Sequence, residues 1–412
     1  MAKKRNIIVG QSGGPTSVIN SSLAGVYKNA IERGFDKVYG MLHGIQGLLD
    51  EQYVDLSTQI HTELDIELLK RTPSAFLGSC RFKLPEIHED KAIYEKIFSI
   101  LNKLNIDAFI YIGGNDSMDT IKKLSDYAIL TGQSQKFLGV PKTIDNDLAL
   151  TDHTPGFGSA AKYIGASTKE VIRDASGLTY KKNMVTIMEI MGRNAGWLTG
   201  AAALAKTEEC EGPDLIYLPE VAFSKEQFLA DVKDKLTKQK TVIVAVSEGI
   251  HDADGNYISS DSAVADKFGH AQLSGAGKAL EYLVRDEIGV KVRSIELNVL
   301  QRCAGHIASR TDITESFSLG QAAVKYAAEG KTGIMAAIER ISNDPYQWVI
   351  KSADVADIAN EAKSVPVEWI NEAGNDVTDE MIDYLRPLII GEVSLQYKDG
   401  LPVYLPVDHL LH

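Results

Sequence analysis

The sequence is poor in the features that mark secreted, membrane-spanning and nucleic-acid-binding chains. Its three cysteines, Cys80, Cys210 and Cys303, are too few and too widely spaced for a disulfide framework or a zinc site, and they favour a reducing cytoplasm. No run of about 18 apolar residues is present that could cross a bilayer. Because acidic residues (56) outnumber basic ones (43), the net charge of -13 argues against nucleic acid or an anionic membrane as the main partner.

Two familiar metal- and phosphate-binding patterns are also missing. The nine histidines include no HxxxH or HExxH spacing, so a zinc hydrolase is disfavoured. The segment from Ser274 to Lys278 looks superficially like a Walker phosphate loop. However, the glycine required five residues before Gly277 is absent, and Ala279 stands where the motif needs serine or threonine. We therefore interpret this segment as structural.

What the sequence does contain is an alternation of short β-branched runs with longer helical patterns. Apolar runs of about 4–6 residues bounded by glycine or proline predict strands buried on both faces. Their alternation with helices predicts βαβ units around parallel sheets, one series before about residue 160 and one after it. The predicted strands are Asn6–Val9, Ala108–Ile112, Phe137–Val140, Val185–Ile190, Leu215–Leu218, Thr241–Val246, Val292–Leu297, Ile334–Ile338 and Trp348–Ile350. The predicted helices are Ser17–Arg33, Ser117–Leu130, Ala160–Arg173, Lys225–Leu236 and Gly277–Ile288.

Glycine and polar residues follow the carboxyl ends of these strands, where open α/β sheets bind their ligands. Gly13 and Gly14, after the first strand, allow the backbone to approach an anion closely, and the next helix offers N–H groups to it. A second glycine pair leads into Asp116 and Ser117, which are also explained as helix caps. These turns alone leave an anion site and a plain strand-to-helix turn as alternatives.

The segment from Val140 to Asp147 is more specific. A strand ends in proline and then presents Lys142, Thr143, Asp145 and Asp147 within six residues. Two carboxylates this close resist joint ionisation unless a cation or a protonated group intervenes, and a lysine or Mg²⁺ would serve. Such a cluster would be costly as mere structure, so we interpret it as a functional site.

Arginines and a glutamate follow several other predicted strands. Arg193, Arg293 and Arg302 would make a cationic pocket for a phosphate monoester, because guanidinium forks match phosphate oxygens. Arg81 follows a glycine turn and could also reach a phosphate. Glu248 could accept hydrogen bonds from sugar hydroxyls. Together they predict a sugar phosphate as the ligand, although each arginine alone is more typical of a protein surface.

Taken in order, the segments SGGPTSVIN, FLGSCRF, IGGNDS, PKTIDND, MGRNAGW, VSEG and LQR resemble the phosphofructokinase family over roughly residues 5 to 340. The resemblance implies two Rossmann-like three-layer α/β/α domains with mainly parallel sheets. A larger donor-binding domain would comprise residues 1–160 and about 300–345, and a smaller sugar-phosphate-binding domain residues 161–299. Residues 346–412 would form a C-terminal extension whose placement is open.

The resemblance also implies roles for residues around the acceptor sugar. Asp145 matches the general base that takes the proton from the 1-hydroxyl of fructose 6-phosphate. Arg293 matches an arginine that reaches across from a neighbouring subunit, which implies a homodimer or homotetramer with shared active sites. The other residues expected at the sugar phosphate are Thr143, Ile144, Met191, Gly192, Arg193, Glu248, Gln301 and Arg302.

At the donor site the resemblance favours pyrophosphate over ATP. ATP-using members carry GGDGS and PGTIDND, whereas this chain has GGNDS and PKTIDND, so that Asp116 and Lys142 replace glycines. Asp116 would repel the α-phosphate of a nucleotide, and Lys142 would supply positive charge to pyrophosphate. The other residues expected near the donor or the transferring group are Gly13, Gly14, Gly114, Arg81 and Asp147. The implied cofactor is Mg²⁺, with Asn115, Asp116 and Asp145 as expected ligands.

The predicted reaction is therefore a reversible, Mg²⁺-dependent phosphoryl transfer from pyrophosphate to fructose 6-phosphate in glycolysis or gluconeogenesis. It gives fructose 1,6-bisphosphate and phosphate. One alternative keeps the chemistry but uses ATP as the donor, or sedoheptulose 7-phosphate as a second acceptor. Another alternative is a non-catalytic regulatory subunit on the same fold. The second is disfavoured because Asp145, Asp147, Gly13 and Gly14 are all present.

Overall fold

The computed structural model describes residues 5–178, 181–258, 275–358 and 362–407, and it contains two sheets whose central strands are parallel. The larger sheet has the strand order β11-β10-β5-β4-β1-β2-β3. Its strands are β1 (Asn6–Gln11), β2 (Lys37–Met41), β3 (Tyr53–Asp55), β4 (Ile106–Gly113), β5 (Lys136–Pro141), β10 (Ile334–Asn343) and β11 (Tyr346–Asp354). Only the edge strands β3 and β11 run antiparallel to their neighbours.

The smaller sheet has four parallel strands in the order β7-β8-β6-β9. These strands are β6 (Met184–Ile190), β7 (Leu215–Tyr217), β8 (Thr241–Ser247) and β9 (Lys291–Glu296). The central strand β6 is buried along its whole length, whereas the edge strand β9 is largely exposed. A separate short hairpin pairs β12 (Tyr397–Lys398) with β13 (Leu401–Pro402).

Helices cover both faces of each sheet. Along β1, Ile7 and Val9 pack into one apolar core while Ile8 packs into another, as alternation along a strand requires. The helices are α1 (Ile19–Glu32), α2 (Gly44–Leu49), α3 (Glu63–Arg71), α4 (Lys91–Lys103), α5 (Asn115–Thr131), α6 (Phe157–Leu178), α7 (Trp197–Gly200), α8 (Lys225–Lys238), α9 (Ala276–Glu287), α10 (Leu300–Cys303), α11 (Arg310–Ala328) and α12 (Asp379–Leu385). None of the helices in the described part of the chain is long and apolar enough to span a membrane.

The predicted α/β fold class is confirmed, and each of the predicted strands corresponds to a strand in the structure. The short strands β2 and β3 were not predicted, because each contains too few apolar residues to give a clear run. Helix α11 was also not predicted. Its buried face contains Asp312, Glu315 and Ser316, so the apolar period of about 3.6 residues is interrupted by polar groups.

The C-terminal part of the chain, whose placement was open, packs against both sheet systems. Strand β11 extends the larger sheet, and its residue Ala353 lies in the same core as Ile8. Further along, Met381, Tyr384 and Leu385 pack into a core of the smaller sheet. The ring of Tyr384 lies 5.2 Å from that of Trp197 between ring centroids. This segment is therefore an integral part of the folded chain.

Candidate active site

The loops that follow β1, β4 and β5 of the larger sheet meet at one edge. The backbone N–H of Lys142, just after β5, donates to the carbonyl of Gly113 at the end of β4 (3.0 Å). The N–H of Ser12, just after β1, donates to the carbonyl of Ile112 (3.0 Å). The hydroxyls of Ser12 and Ser117 are also hydrogen-bonded to each other. These bonds fix the loops that the sequence identified as a candidate site.

Lys142 lies over the glycine turn that follows β1. Its side chain is buried, and its Nζ donates to the carbonyl oxygen of Gly14 (2.7 Å). Gly13 has a φ of 74°, and a Cβ placed there would lie 3.1 Å from Nζ, so glycine is needed both for the turn and for the close approach. Burial lowers the pKa of Lys142 to about 8, although the negative charges of Asp145 and Asp147 act in the opposite direction.

Asp145 is held by its neighbour Thr143. The Thr143 hydroxyl donates to Asp145 Oδ2 (3.2 Å) and accepts from the Asp145 N–H (3.0 Å). Burial raises the pKa of Asp145 above its ordinary value, while the Thr143 hydrogen bond lowers it. The positive charges of Lys142, Arg193 and Arg302 also lower this pKa. A carboxylate whose proton affinity is raised in this way is suited to general-base chemistry.

A second carboxylate lies close to the first. Burial, followed by the negative charge of Asp145, raises the pKa of Asp147 to about 6. The positive charges of Lys142 and Lys363 partly oppose this rise. Two buried carboxyl groups, one of which raises the pKa of the other, favour a cation beside them.

The loops after β6 and β8 of the smaller sheet add hydrogen-bonding groups. The N–H of Gly192 donates to Glu248 Oε1 (3.3 Å), and the Ser247 hydroxyl donates to the carbonyl of Gly192 (2.5 Å). Burial raises the pKa of Glu248 to about 7, and the negative charge of Asp145 contributes to this rise. The two sheets therefore present Glu248 and Asp145 to a common region. The N–H of Met191 donates to Gln301 Oε1 (3.3 Å), which ties α10 to the same region.

Arginines surround this acidic centre. Arg302, on α10, reaches the Gly13–Gly14 turn after β1, because a Cβ placed on Gly14 would lie 3.2 Å from its guanidinium. Its charge acts on both Lys142 and Asp145. The charge of Arg193 lowers the pKa of Asp145 and that of Glu248. The charge of the exposed Arg81 lowers the pKa of Lys142. A cluster of guanidinium and ammonium groups around carboxylates is a suitable environment for phosphate oxygens.

Not all predicted site residues join this cluster. Asp116 is exposed in the first turn of α5, where a carboxylate interacts favourably with the helix dipole. Within the described residues, no hydrogen bond or ion pair joins Asp116 to Lys142. Arg293 is exposed on the edge strand β9, where it pairs in register with Thr186, three residues before β9 ends. The remaining predicted residues, Gly114 and Ile144, belong to the loops that carry the cluster.

The fit to a metal ion depends on oxygen donors. In the part of the chain that the structure describes, no group of three or more histidine, cysteine, aspartate and glutamate residues is arranged as a metal site. However, Asn115 Oδ1 is buried and has no hydrogen-bond partner among these residues. An unpaired amide oxygen together with the carboxylates of Asp145 and Asp147 is a donor set that suits Mg²⁺. The resemblance also implies that Asp147 helps to hold substrate and metal, and this role stays a prediction.

The loop that resembles a Walker motif already holds an anion from the protein itself. The carboxylate of Glu189, on β6, accepts from the N–H groups of Gly275 (3.1 Å) and Gly277 (2.8 Å) at the start of α9. Burial raises the pKa of Glu189 above its ordinary value, although these N–H donors lower it. The structural interpretation of this segment agrees with these contacts. Ser274 lies outside the described residues.

Comparison with known proteins identifies relatives over almost the whole chain. A sequence model of the family described as Phosphofructokinase matches residues 6–327. A protein of Xanthomonas campestris pv. campestris named pyrophosphate--fructose 6-phosphate 1-phosphotransferase is 41% identical over 406 residues, covering 98% of this chain and 96% of the relative. A protein of the same name from Halomonas elongata is 39% identical over 402 residues, covering 97% and 95%.

A solved structure has the same fold over the same extent. The crystal structure of a pyrophosphate-dependent phosphofructokinase from Nitrosospira multiformis superposes with a TM-score of 0.89 at 39% identity. The superposition covers 98% of this chain and 96% of that chain.

Proposed function

The chain belongs to the phosphofructokinase family, and we propose that it is a pyrophosphate-dependent 6-phosphofructokinase. In this proposal the enzyme transfers a phosphoryl group from pyrophosphate to the 1-hydroxyl of fructose 6-phosphate, giving fructose 1,6-bisphosphate and phosphate. The names of relatives about 40% identical over nearly the full chain support this substrate pair. Cleavage of the phosphoanhydride of pyrophosphate releases less free energy than cleavage of that of ATP, so the reaction runs readily in both directions.

Asp145 acts as the general base. Its carboxylate takes the proton of the 1-hydroxyl while that oxygen forms a bond to phosphorus, and the bridging P–O bond of pyrophosphate breaks. Its raised pKa favours proton acceptance, and the Thr143 hydroxyl fixes its orientation. The released phosphate leaves with the electron pair of the broken bond.

Fructose 6-phosphate binds between the two sheets. Arg193 and Arg302 are suited to hold its 6-phosphate, because guanidinium groups match phosphate oxygens in geometry and charge. Glu248 and the loop containing Met191 and Gly192 are suited to hold the sugar hydroxyls, since they are tied together by hydrogen bonds.

The donor lies at the turn that follows β1. Lys142 and Arg81 offer positive charge to the transferring group and to the leaving phosphate, so the protein acts mainly by positioning and electrostatics. Asn115, Asp145 and Asp147 are the residues suited to hold Mg²⁺. When bound, Mg²⁺ would neutralise charge on the phosphate oxygens. Asp116, at the start of α5, would discourage a longer, negatively charged nucleotide at the mouth of the site.

The single observation that carries the choice of donor is the contact between the Lys142 ammonium and the Gly14 carbonyl. The ammonium occupies space over the Gly13–Gly14 turn and leaves room for a small, highly charged donor. The test is turnover of purified protein with each pairing of pyrophosphate or ATP with fructose 6-phosphate or sedoheptulose 7-phosphate, in the presence of Mg²⁺. We expect pyrophosphate with fructose 6-phosphate to give the highest kcat/KM. Turnover with ATP but not with pyrophosphate would contradict the choice of donor, and no turnover with either would indicate a regulatory subunit.

We also propose that the enzyme is a cytoplasmic homodimer or homotetramer in which Arg293 enters the site of a neighbouring copy. The exposure of Arg293 on an edge strand supports this role, because within its own chain it does not join the cluster around Asp145. The three free cysteines are compatible with a reducing compartment. Sedimentation of the purified protein would measure the oligomeric state.

A further inference from the structure

The C-terminal segment pairs directly with the loop that carries the two active-site carboxylates. The N–H of Lys363 donates to the carbonyl oxygen of Asp147 (2.8 Å). The neighbouring residue Ala362 forms an antiparallel bridge with Leu148. The two segments are more than 200 residues apart in sequence, as the separation of 217 between Asn146 and Lys363 illustrates. The backbone of the loop is therefore held from behind by this segment.

The side chain of Lys363 strengthens this attachment. Its Nζ donates to the carbonyl oxygens of Asp152 (2.6 Å) and Thr151 (3.2 Å) and to Asn146 Oδ1 (3.3 Å). It also lies 5.3 Å from the centroid of the Trp197 ring. Burial lowers the pKa of Lys363 to about 8, which shows that enclosing this ammonium is unfavourable for its charge. The charge is nevertheless retained beside the loop.

Tyr384 completes the attachment from the other end of Asn146. Its hydroxyl accepts from Asn146 Nδ2 (2.9 Å) and donates to the carbonyl of Asp152 (2.7 Å). Asn146 Oδ1 also accepts from the N–H of Thr154 (3.1 Å). Both ends of the Asn146 amide are thus occupied by partners from other parts of the chain.

Asn146 is the residue through which these contacts can act on the chemistry. It stands between Asp145 and Asp147, it is fully buried, and it has a left-handed backbone with a φ of 55°. A residue other than glycine is rarely stable in this conformation unless its surroundings fix it. Rotation at Asn146 would move both carboxylates relative to the donor and the sugar.

We propose that Lys363 and Tyr384 are positioning residues for phosphoryl transfer, acting through Asn146 to hold Asp145 and Asp147 in their productive orientation. This inference rests on the proposed function, because it assigns Asp145 the role of base. It gives the C-terminal segment a part in catalysis beyond its contribution to stability. The contacts predict that loss of either side chain lowers kcat more than it changes the binding of either substrate.

The first experiment compares Lys363→Met with the matched control Lys206→Met. Lys206 pairs with Asp376 of the same C-terminal segment (3.0 Å) but has no contact with Asn146. We expect Lys363→Met to lower kcat by about 30- to 100-fold with both KM values changed less than about threefold, because displacing a reacting group by about 1 Å has effects of this size. The control should keep the kcat of the unchanged enzyme, whatever its Tm. Equal kcat values in the two variants would overturn the proposal.

Tyr384→Phe keeps the apolar ring and removes only the hydroxyl, so it provides the same readout if Lys363→Met does not fold. We expect a kcat loss of about tenfold with unchanged KM values. A Tyr384→Phe enzyme with the kcat of the unchanged protein would exclude its positioning role.

The second experiment asks whether Lys363 acts through Asn146. Asn146→Gly keeps access to the left-handed conformation while removing the side chain that Lys363 and Tyr384 hold. If the proposal is correct, adding Lys363→Met to Asn146→Gly lowers kcat by less than about threefold further. If the kcat loss of the double variant equals the product of the losses of the two single variants, the proposal is wrong. If the unchanged protein has no activity, the proposed function is wrong. If the unchanged protein is active and the variants keep its kcat, only the positioning role of Lys363 and Tyr384 is wrong.

Discussion

The Lys142 ammonium and the Gly14 carbonyl oxygen lie 2.7 Å apart. A cation from the loop after β5 therefore contacts the turn that follows β1. The same ammonium experiences the charges of Asp145 and Asp147. One side chain therefore links the glycine turn after β1 with the two carboxylates that follow β5.

Replacing both Asp116 and Lys142 by glycine should remove the donor preference. We expect kcat/KM for pyrophosphate to fall at least about 100-fold, because the cation at the leaving phosphate is lost. Initial rates with pyrophosphate and with ATP measure the change, and the single variants separate the two residues. The structure predicts that Lys142→Gly accounts for most of the loss, since Asp116 does not contact it. Unchanged pyrophosphate kinetics in the double variant would count against both roles.

Replacing Asp145 by serine should abolish turnover while preserving the fold. We expect kcat to fall by about 1,000-fold or more, because the carboxylate proposed to take the proton is lost. The loss of a buried carboxylate should not lower Tm, since burial disfavours its charged form. Stopped-time assays and thermal unfolding measure these two effects. Retained turnover would remove Asp145 as the base.

The pKa of Lys142, about 8, predicts a pH limit on use of the donor. Lysine is charged below its pKa, so the free enzyme loses this cation as the pH rises through about 8. We expect kcat/KM for pyrophosphate to decline above this pH at constant ionic strength and Mg²⁺ concentration. The arginine of Lys142→Arg stays charged over this pH range. The kcat/KM of that variant for pyrophosphate, divided by its own value at pH 7, should therefore show no such decline. A parallel decline in both enzymes would mean that another group titrates.

His153 predicts a pH-dependent contribution to stability. Its Nδ1 lies 2.7 Å from Asp152 Oδ2 and its Nε2 lies 2.6 Å from Glu315 Oε2. Although burial opposes the charge, these carboxylates raise the pKa of His153 to about 9. Since this pKa lies above the unfolded value of about 6.5, the stabilisation is complete below that value and is lost as the pH rises through about 9.

The comparison that isolates this effect is between the unchanged protein and His153→Gln. We expect the difference in their free energies of unfolding to be about 3 kcal/mol larger at pH 6 than at pH 9.5. Urea unfolding at both pH values measures it. The two proteins must be compared because Lys142 and Lys363, whose pKa values are lowered to about 8, make the folded state more stable as the pH rises above about 8. This contribution is the same in both proteins and cancels in the difference. A constant difference would show that His153 is neutral in the folded protein.

The sequence allowed the strands, and the loops of the candidate site that follow them, to be predicted because both leave local signals. Strands such as β6 are continuous apolar runs, and the residues from Lys142 to Asp147 follow one directly. The contacts by which the C-terminal segment holds the loop around Asn146 give no such signal in the sequence. Lys363 and Tyr384 lie 217 and 238 residues from Asn146, and nothing in their own neighbourhoods indicates that they meet. Contacts of this separation depend on how the elements pack.

The contact between Glu189 and the start of α9 has a consequence for ligand searches. The carboxylate is tethered to a buried strand, so it competes for the N–H groups of Gly275 and Gly277 at a very high effective concentration. A free phosphate would have to displace this built-in competitor and leave a negative charge stranded beside it. The glycine-rich stretch at this position should therefore stay closed to nucleotides even when they are abundant.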